Sequence, residues 1–119
     1  MLLPVNPMGA VRQTRSDAWR PRDCVVRYRA FRDHLRAEAK AATYTLAEPL
    51  SLTFHLPMPA SWSQKKKAAM NGQPHRSKPD LDNLVKAFKD ALVTEDSHIA
   101  EYGPMRKVWA REGAIEIHN

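Results

Sequence analysis

Between Leu50 and Leu56 every second residue is large and apolar, the period of a strand with one face in a core. Leu50, Leu52, Phe54 and Leu56 make one face, Ser51, Thr53 and His55 the other, and Pro57 and Pro59 end the run. Such a strand needs paired neighbours and a covering layer. The flanking sequence supplies both. From Val25 to about Ala42, Val25, Tyr28, Phe31, Leu35 and Ala39 recur at spacings of three and four, which predicts an amphipathic helix with Asp23 as its N-cap. A second helix runs from Asp80 or Asp82 to about Leu92, with Leu81, Leu84, Val85, Phe88, Ala91 and Leu92 on its apolar face. A shorter one is expected from Ser61, its N-cap, to Met70, ahead of the turn signal Asn71-Gly72.

The remaining segments read as extended or irregular. Leu2–Val5 is a short entry strand, residues 9–23 an arginine-rich loop, and residues 97–101 and 105–111 extended. Glu112-Gly113 fits a hairpin turn into a last strand at Ala114–Ile117. This order predicts an α+β fold, a two-layer domain with a mixed β-sheet packed with helices. The 119 residues suffice for one core, so residues 1–119 are read as a single domain. No run approaches the roughly 18 apolar residues of a membrane helix, and the opening is too short and broken for a signal peptide. Membrane partners are therefore not expected. Cys24 is alone; it closes no internal disulfide and cannot build a cysteine zinc site. A reducing cytoplasm is the expected location.

Charge narrows the partner. Nineteen Lys and Arg face thirteen Asp and Glu, a net +6, and a small basic domain has polyanions, nucleic acid above all, as default partners. The signs are segregated. Residues 11–40 hold nine basic side chains and four acidic ones, and residues 61–79 hold five basic ones and no acid. Residues 80–101 then carry six of the thirteen acids. A phosphate-binding protein has no electrostatic reason to gather carboxylates unless a cation lies between them and the phosphate. Asp80-Leu81-Asp82 is the centre of that cluster. Two carboxylates flanking one leucine repel unless a cation neutralises them, and Mg²⁺ takes one or two protein carboxylates while keeping several waters. The adjoining helix N-terminus disfavours cations, so the acids must outweigh its dipole. The competing structural role is an N-cap, worth about 1 kcal/mol. Lys86, four residues after Asp82, either pairs with it or faces a phosphate.

The run Lys78-Pro-Asp-Leu-Asp-Asn-Leu-Val-Lys-Ala-Phe-Lys-Asp-Ala-Leu92, followed by Glu95-Asp96-Ser-His-Ile99, resembles the RusA family of Holliday junction resolvases. Pro57–Lys67 and Asn6–Arg15 are similar to its phage-type members. The resemblance implies a homodimeric, Mg²⁺-dependent crossover junction endodeoxyribonuclease, Mn²⁺ being a possible substitute, that resolves four-way DNA junctions by paired nicks. It implies Asp80, Asp82 and Asp96 as metal ligands and catalytic residues with Lys86, and Asn83 in a supporting role. It places the enzyme in a bacterial or phage-infected cell. Two departures stand out: Pro79 occupies a place where some members carry arginine, and Glu95 replaces the first member of an Asp-Asp pair. Substrate contact before Asp80 then falls to Arg76 or Lys78.

Lys65, Lys66 and Lys67 with Trp62, and Arg12 with Arg15, complete the expected DNA-facing rim. Trp19 and Trp109 are expected in the core or an interface. The five histidines show no zinc spacing. The rival readings are a noncatalytic basic nucleic-acid-binding protein, whose acids cap and solubilise, and a nuclease acting mainly on other branched DNA.

Overall fold

The computed structural model describes residues 1–118. Its strands are β1 (Leu2–Leu3), β2 (Leu50–Pro57), β3 (Tyr102–Ala110) and β4 (Ala114–Ile117), and its helices α1 (Asp23–Ala41), α2 (Gln64–Met70) and α3 (Leu81–Leu92). Single 3₁₀ turns occupy Arg15–Ala18 and Asp96–His98. The strands form one mixed sheet in the order β1-β4-β2-β3. β2 runs parallel to β3 and antiparallel to β4, which pairs antiparallel with β1. The α+β architecture expected from the sequence is the one observed.

The apolar row of β2 and the stripes of α1 and α3 meet in one core. Tyr28, Phe31 and Leu35 of α1, Leu84 and Phe88 of α3, and Leu52, Phe54, Ile115 and Ile117 of the sheet are all buried there. Two polar ties lock the helices together: the Tyr28 hydroxyl donates to Asp90 Oδ2 at 2.8 Å, and Arg36 Nε donates to the Ala91 carbonyl at 2.8 Å.

Four local expectations are corrected. Glu112-Gly113 does not close a hairpin, because β4 pairs with β2 instead of β3, and residues 111–113 carry the chain across the end of β2. Four Cα steps reach up to about 13 Å, enough for the roughly 10 Å of two strand spacings. Gly113 is needed in that crossing, since a Cβ there would overlap the Asn6 side chain. The central place of β2 also buries Ser51 and Thr53, which the alternation had placed on an open face. Ser51 Oγ donates to the Pro104 carbonyl, and Thr53 Oγ1 bonds His118 Nε2, each at 2.7 Å. Finally, α2 starts at Gln64, not Ser61. A turn bonded from Trp62 N–H to the Pro59 carbonyl takes up Ser61, and Ser63 Oγ accepts the Lys66 N–H at 3.1 Å as the cap. Likewise Arg22 stands at the N-cap position of α1 and Asp23 is its first residue.

Beyond β3 the segment 72–75 runs as an extra edge. Gly72 N–H donates to the Trp109 carbonyl (2.8 Å), Trp109 N–H to that of Gln73 (3.0 Å), and His75 N–H to that of Lys107 (3.1 Å). This strap delivers residues 76–79 to the start of α3. The fold thus depends on the core that holds α3. Replacing wholly buried Phe88 by Ala is expected to lower the unfolding free energy by about 3–5 kcal/mol, read from urea melts. A loss below about 1 kcal/mol would contradict a close-packed seat for the ring.

Candidate active site

The apolar residues of α3 are spent on the core, which leaves Asp82, Lys86 and Asp90, four apart, on its polar side. Asp80 occupies the N-cap position in extended backbone, yet its side chain makes no capping hydrogen bond. The carboxylate is therefore not used for the structural role weighed against it. Asp82, in the first turn, accepts the Asn83 N–H at 3.0 Å. Both acids are exposed at the positive end of the helix dipole. Beside them opens a cleft of about 720 Å³ whose walls include Asp82, Asn83, Lys86, Lys89 and Tyr102.

After α3 the chain folds back, and Asp96 meets the middle of the helix. Lys86 Nζ donates to Asp96 Oδ2 at 2.9 Å and lies 3.1 Å from Asp90 Oδ1. It reaches forward to these two carboxylates. Asp96 is held below its ordinary pKa mainly by the Lys86 hydrogen bond, and Lys86 is raised by its bonds to Asp96 and then Asp90. Asp90 is in turn fixed by Tyr28, whose hydroxyl is pushed up by burial and by that hydrogen bond. The lysine head is thus anchored to α1 through one carboxylate and to the returning chain through another. Glu48 steadies the return by accepting the N–H groups of Ala100 and Glu101.

Two basic loops are tied to residues at the start of α3. Ala10 N–H donates to the Asn83 carbonyl and Asn83 Nδ2 donates back to the Ala10 carbonyl, each at 3.2 Å. Gly9 lies so close that a Cβ would come within 2.9 Å of Asn83 Nδ2. Arg12 and Arg15 follow, both exposed. Their loop is folded around Asp17, a buried carboxylate that accepts Thr14 N–H (2.8 Å), Thr14 Oγ1 (3.0 Å), Arg22 N–H (3.0 Å) and the Arg22 guanidinium (3.1 Å). These bonds, that of the Arg22 side chain first, hold Asp17 well below the usual carboxylate range. On the other side, Lys107 Nζ donates to the carbonyls of Ser77 and Pro79, fixing the loop that carries Arg76 and Lys78, both exposed. Lys65 and Lys66 are exposed on α2 and Lys67 is half-buried. Trp62 is half-buried against Trp109, ring centroids 4.8 Å apart, with Lys66 Nζ 4.1 Å from its ring. Trp109 packs at a tilt against the buried His75, ring centroids 4.0 Å apart. Trp19 is 74% exposed and outside the core, which leaves the interface of the two places expected for it.

Asp17, Asp90, Tyr28 and Lys89 were not reached from the sequence. Thr14-x-x-Asp17 carries a visible capping-box signal, and Asp90 sits one helical step beyond Lys86, but the Tyr28 contact spans 62 positions. Among the described residues no three His, Cys, Asp or Glu side chains converge so as to hold a metal. The donor chemistry nonetheless suits Mg²⁺, which needs as few as one or two carboxylates besides water; the exposed Asp80 and Asp82 are the carboxylates that would be open to it, while Asp96 is engaged with Lys86.

A lysine-lined cleft beside exposed carboxylates, with basic loops tied to the same helix start, suits a nucleic-acid backbone. Residues 4–118 match the family model Endodeoxyribonuclease RusA. The chain belongs to that family, which makes it a nuclease of the Holliday junction resolvase class. Comparison with curated proteins and with solved structures finds no significant match. No helix among the described residues is long and apolar enough to cross a membrane.

The Lys86 pairs carry a pH signature. A lowered Asp96 pKa stabilises the fold above the carboxyl's unfolded value near ~3.9, and that contribution is lost as pH falls through the lower folded value. Side chains half-exposed on both sides limit it to about 1 kcal/mol. Lys86→Met should therefore be less stable than wild type at neutral pH and indistinguishable from it at about pH 2, in urea melts. A difference that persists in acid would assign the loss to packing of the lysine stem.

Proposed function

We propose that this chain is a Mg²⁺-dependent endonuclease that resolves four-way DNA junctions by paired nicks, with Mn²⁺ able to substitute. The observation that carries the reading is Asp80: a carboxylate at a helix N-cap that does not cap, beside Asp82 and a lysine-lined cleft. Asp80, Asp82 and Asp96 are the proposed metal ligands. Bound there, the ion would supply Lewis acidity and lower the pKa of an attacking water.

The side chains do the rest. Arg12, Arg15, Arg76, Lys78 and the α2 lysines Lys65–Lys67 grip the backbone on either side, with Trp62 packed among them, and bring one phosphodiester to the cleft. Lys86 turns its ammonium to the scissile phosphate and stabilises the charge that grows in the transition state. That movement frees the Asp96 carboxylate to join Asp80 and Asp82, while Asp90 keeps the lysine tethered. Asn83, doubly bonded to Ala10, holds the arginine loop in register with the acids. A homodimer would offer two such clefts to a substrate of approximate two-fold symmetry, as paired nicks require. The setting that suits the substrate is the cytoplasm of a bacterial or phage-infected cell.

Outer-shell changes at metal sites cost about 10–100-fold, so loss of a direct ligand should cost at least the upper end. Asp80→Asn and Asp82→Asn should each slow junction cleavage by about 100-fold or more while binding persists or tightens, because a negative charge facing the phosphates is gone. Wild-type rates in both variants would remove the acids from the chemistry, and binding without cleavage by wild type at any Mg²⁺ or Mn²⁺ level would favour a noncatalytic binding protein. Changing Lys65, Lys66 and Lys67 together to Gln should lower the slope of log K against log salt by about one unit per lost phosphate contact. An unchanged slope would take α2 out of the interface.

A further inference from the structure

Trp19 is the largest apolar side chain left open to solvent, 74% exposed, and nothing in the cleft chemistry uses it. Its placement is not loose. The Trp19 N–H donates to the Ser16 carbonyl at 3.2 Å and the Arg20 N–H to the same carbonyl at 2.9 Å. The turn beneath is built on Asp17, and Arg29 Nη2 donates to the Asp17 carbonyl at 3.2 Å. Arg22 Nη2 closes the loop on the Arg12 carbonyl at 2.7 Å. The backbone beneath the indole is fixed in this way, so the ring is presented at a defined place on the surface.

Its surroundings select the partner. Arg15, Ser16 and Arg20 share an open surface depression with Trp19, and both arginines are exposed. The acid of the turn, Asp17, is buried and paired with Arg22, so the surface around the indole is cationic. A second copy of this loop would meet it with like charge, whereas a polyanion with flat aromatic faces matches both features. Nucleic acid has that chemistry. In continuous duplex the base faces are already stacked on one another; they are open at a branch point or an unpaired base. The same loop is tied at Ala10 to Asn83, beside Asp82.

We propose that Trp19 stacks on a base face left open at a discontinuity in DNA and thereby favours branched over continuous duplex substrate. This rests on the nuclease reading above. The test is binding without divalent metal, so that cleavage plays no part, to a four-way junction bearing 2-aminopurine at the branch point and to linear duplex of the same sequence. Wild type should change the 2-aminopurine emission. Trp19→Ala should lose that change and bind the junction about tenfold more weakly, with duplex affinity and salt slope unaltered, while Trp19→Phe keeps most of both. Thermal melts should match wild type, as expected of an exposed side chain.

A wild-type complex with no emission change overturns the proposal without any variant. So does an equal loss on junction and duplex, or sedimentation showing that Trp19→Ala or Trp19→Phe alters the oligomeric state, which would assign the indole to a subunit contact. Cleavage of the same junction by wild type in Mg²⁺ is scored separately. Failure there sinks the nuclease reading and leaves the stacking result to stand or fall on the metal-free arm.

Discussion

The seat of Phe88 decides the rest of the molecule. Its ring is wholly buried and meets Tyr44 edge-on at 6.4 Å, which fixes the rotation of α3 about its own axis. With that rotation set, Asp82, Lys86 and Asp90 have one direction in which to point. Asp80 follows because it is the residue from which the helix springs. The chemistry at the surface is thus oriented by a hydrocarbon contact on the opposite side of the same helix, and α1 reinforces it through Tyr28 and Arg36. A site mounted on a packed helix is held more rigidly than one mounted on loops.

Electrostatically the cleft is a negotiated surface. Its carboxylates would repel a DNA backbone, and its cations would otherwise collapse onto the carboxylates. The structure separates these tendencies by position. Asp17 and Asp90 are consumed by Arg22 and by Tyr28 with Lys86, acting as internal anchors. Asp80 and Asp82 are exposed at the helix start, and Asp96 is held in an ion pair that a phosphate can compete for. Residues of one chemical type serve as struts in one place and stand open to solvent in another. Burial and partners draw the line between them.

Much of this was legible in the residues. The limits of α3, the buried faces of α1 and β2, and the pairing of an acidic cluster with basic flanks all follow from periodicity and charge, which are local properties. The hairpin at Glu112-Gly113 was misread because a three-residue connection serves adjacent strands and strands with a third between them equally well. What decides is the burial of both faces of β2, a property of the assembled sheet. Ser51 and Thr53 look solvated in an alternating pattern, and they become interior once β3 and β4 flank them. Trp19 was read as core or interface, and it took the fold of the Asp17 turn to exclude the core. The Asp17 turn itself had a signal, Thr14-x-x-Asp17. The Tyr28–Asp90 tie had none, since nothing local links α1 to α3.

The strap at residues 72–75 has a bearing on how the protein behaves in company. An uncovered edge strand is a template for another chain, and β3, nine residues long, would be an inviting one. The strap occupies the backbone groups of Lys107 and Trp109 on that side, clamped by the His75–Trp109 ring contact. At the far edge β1 has two residues before Pro4, which lacks an N–H to offer. The C-terminal part of the β3 rim is thereby shielded, and the β1 rim is too short to template much growth. The stretch that carries the exposed Arg76 and Lys78 is also the guard rail of the sheet, so loosening it would bare the β3 edge and invite aggregation.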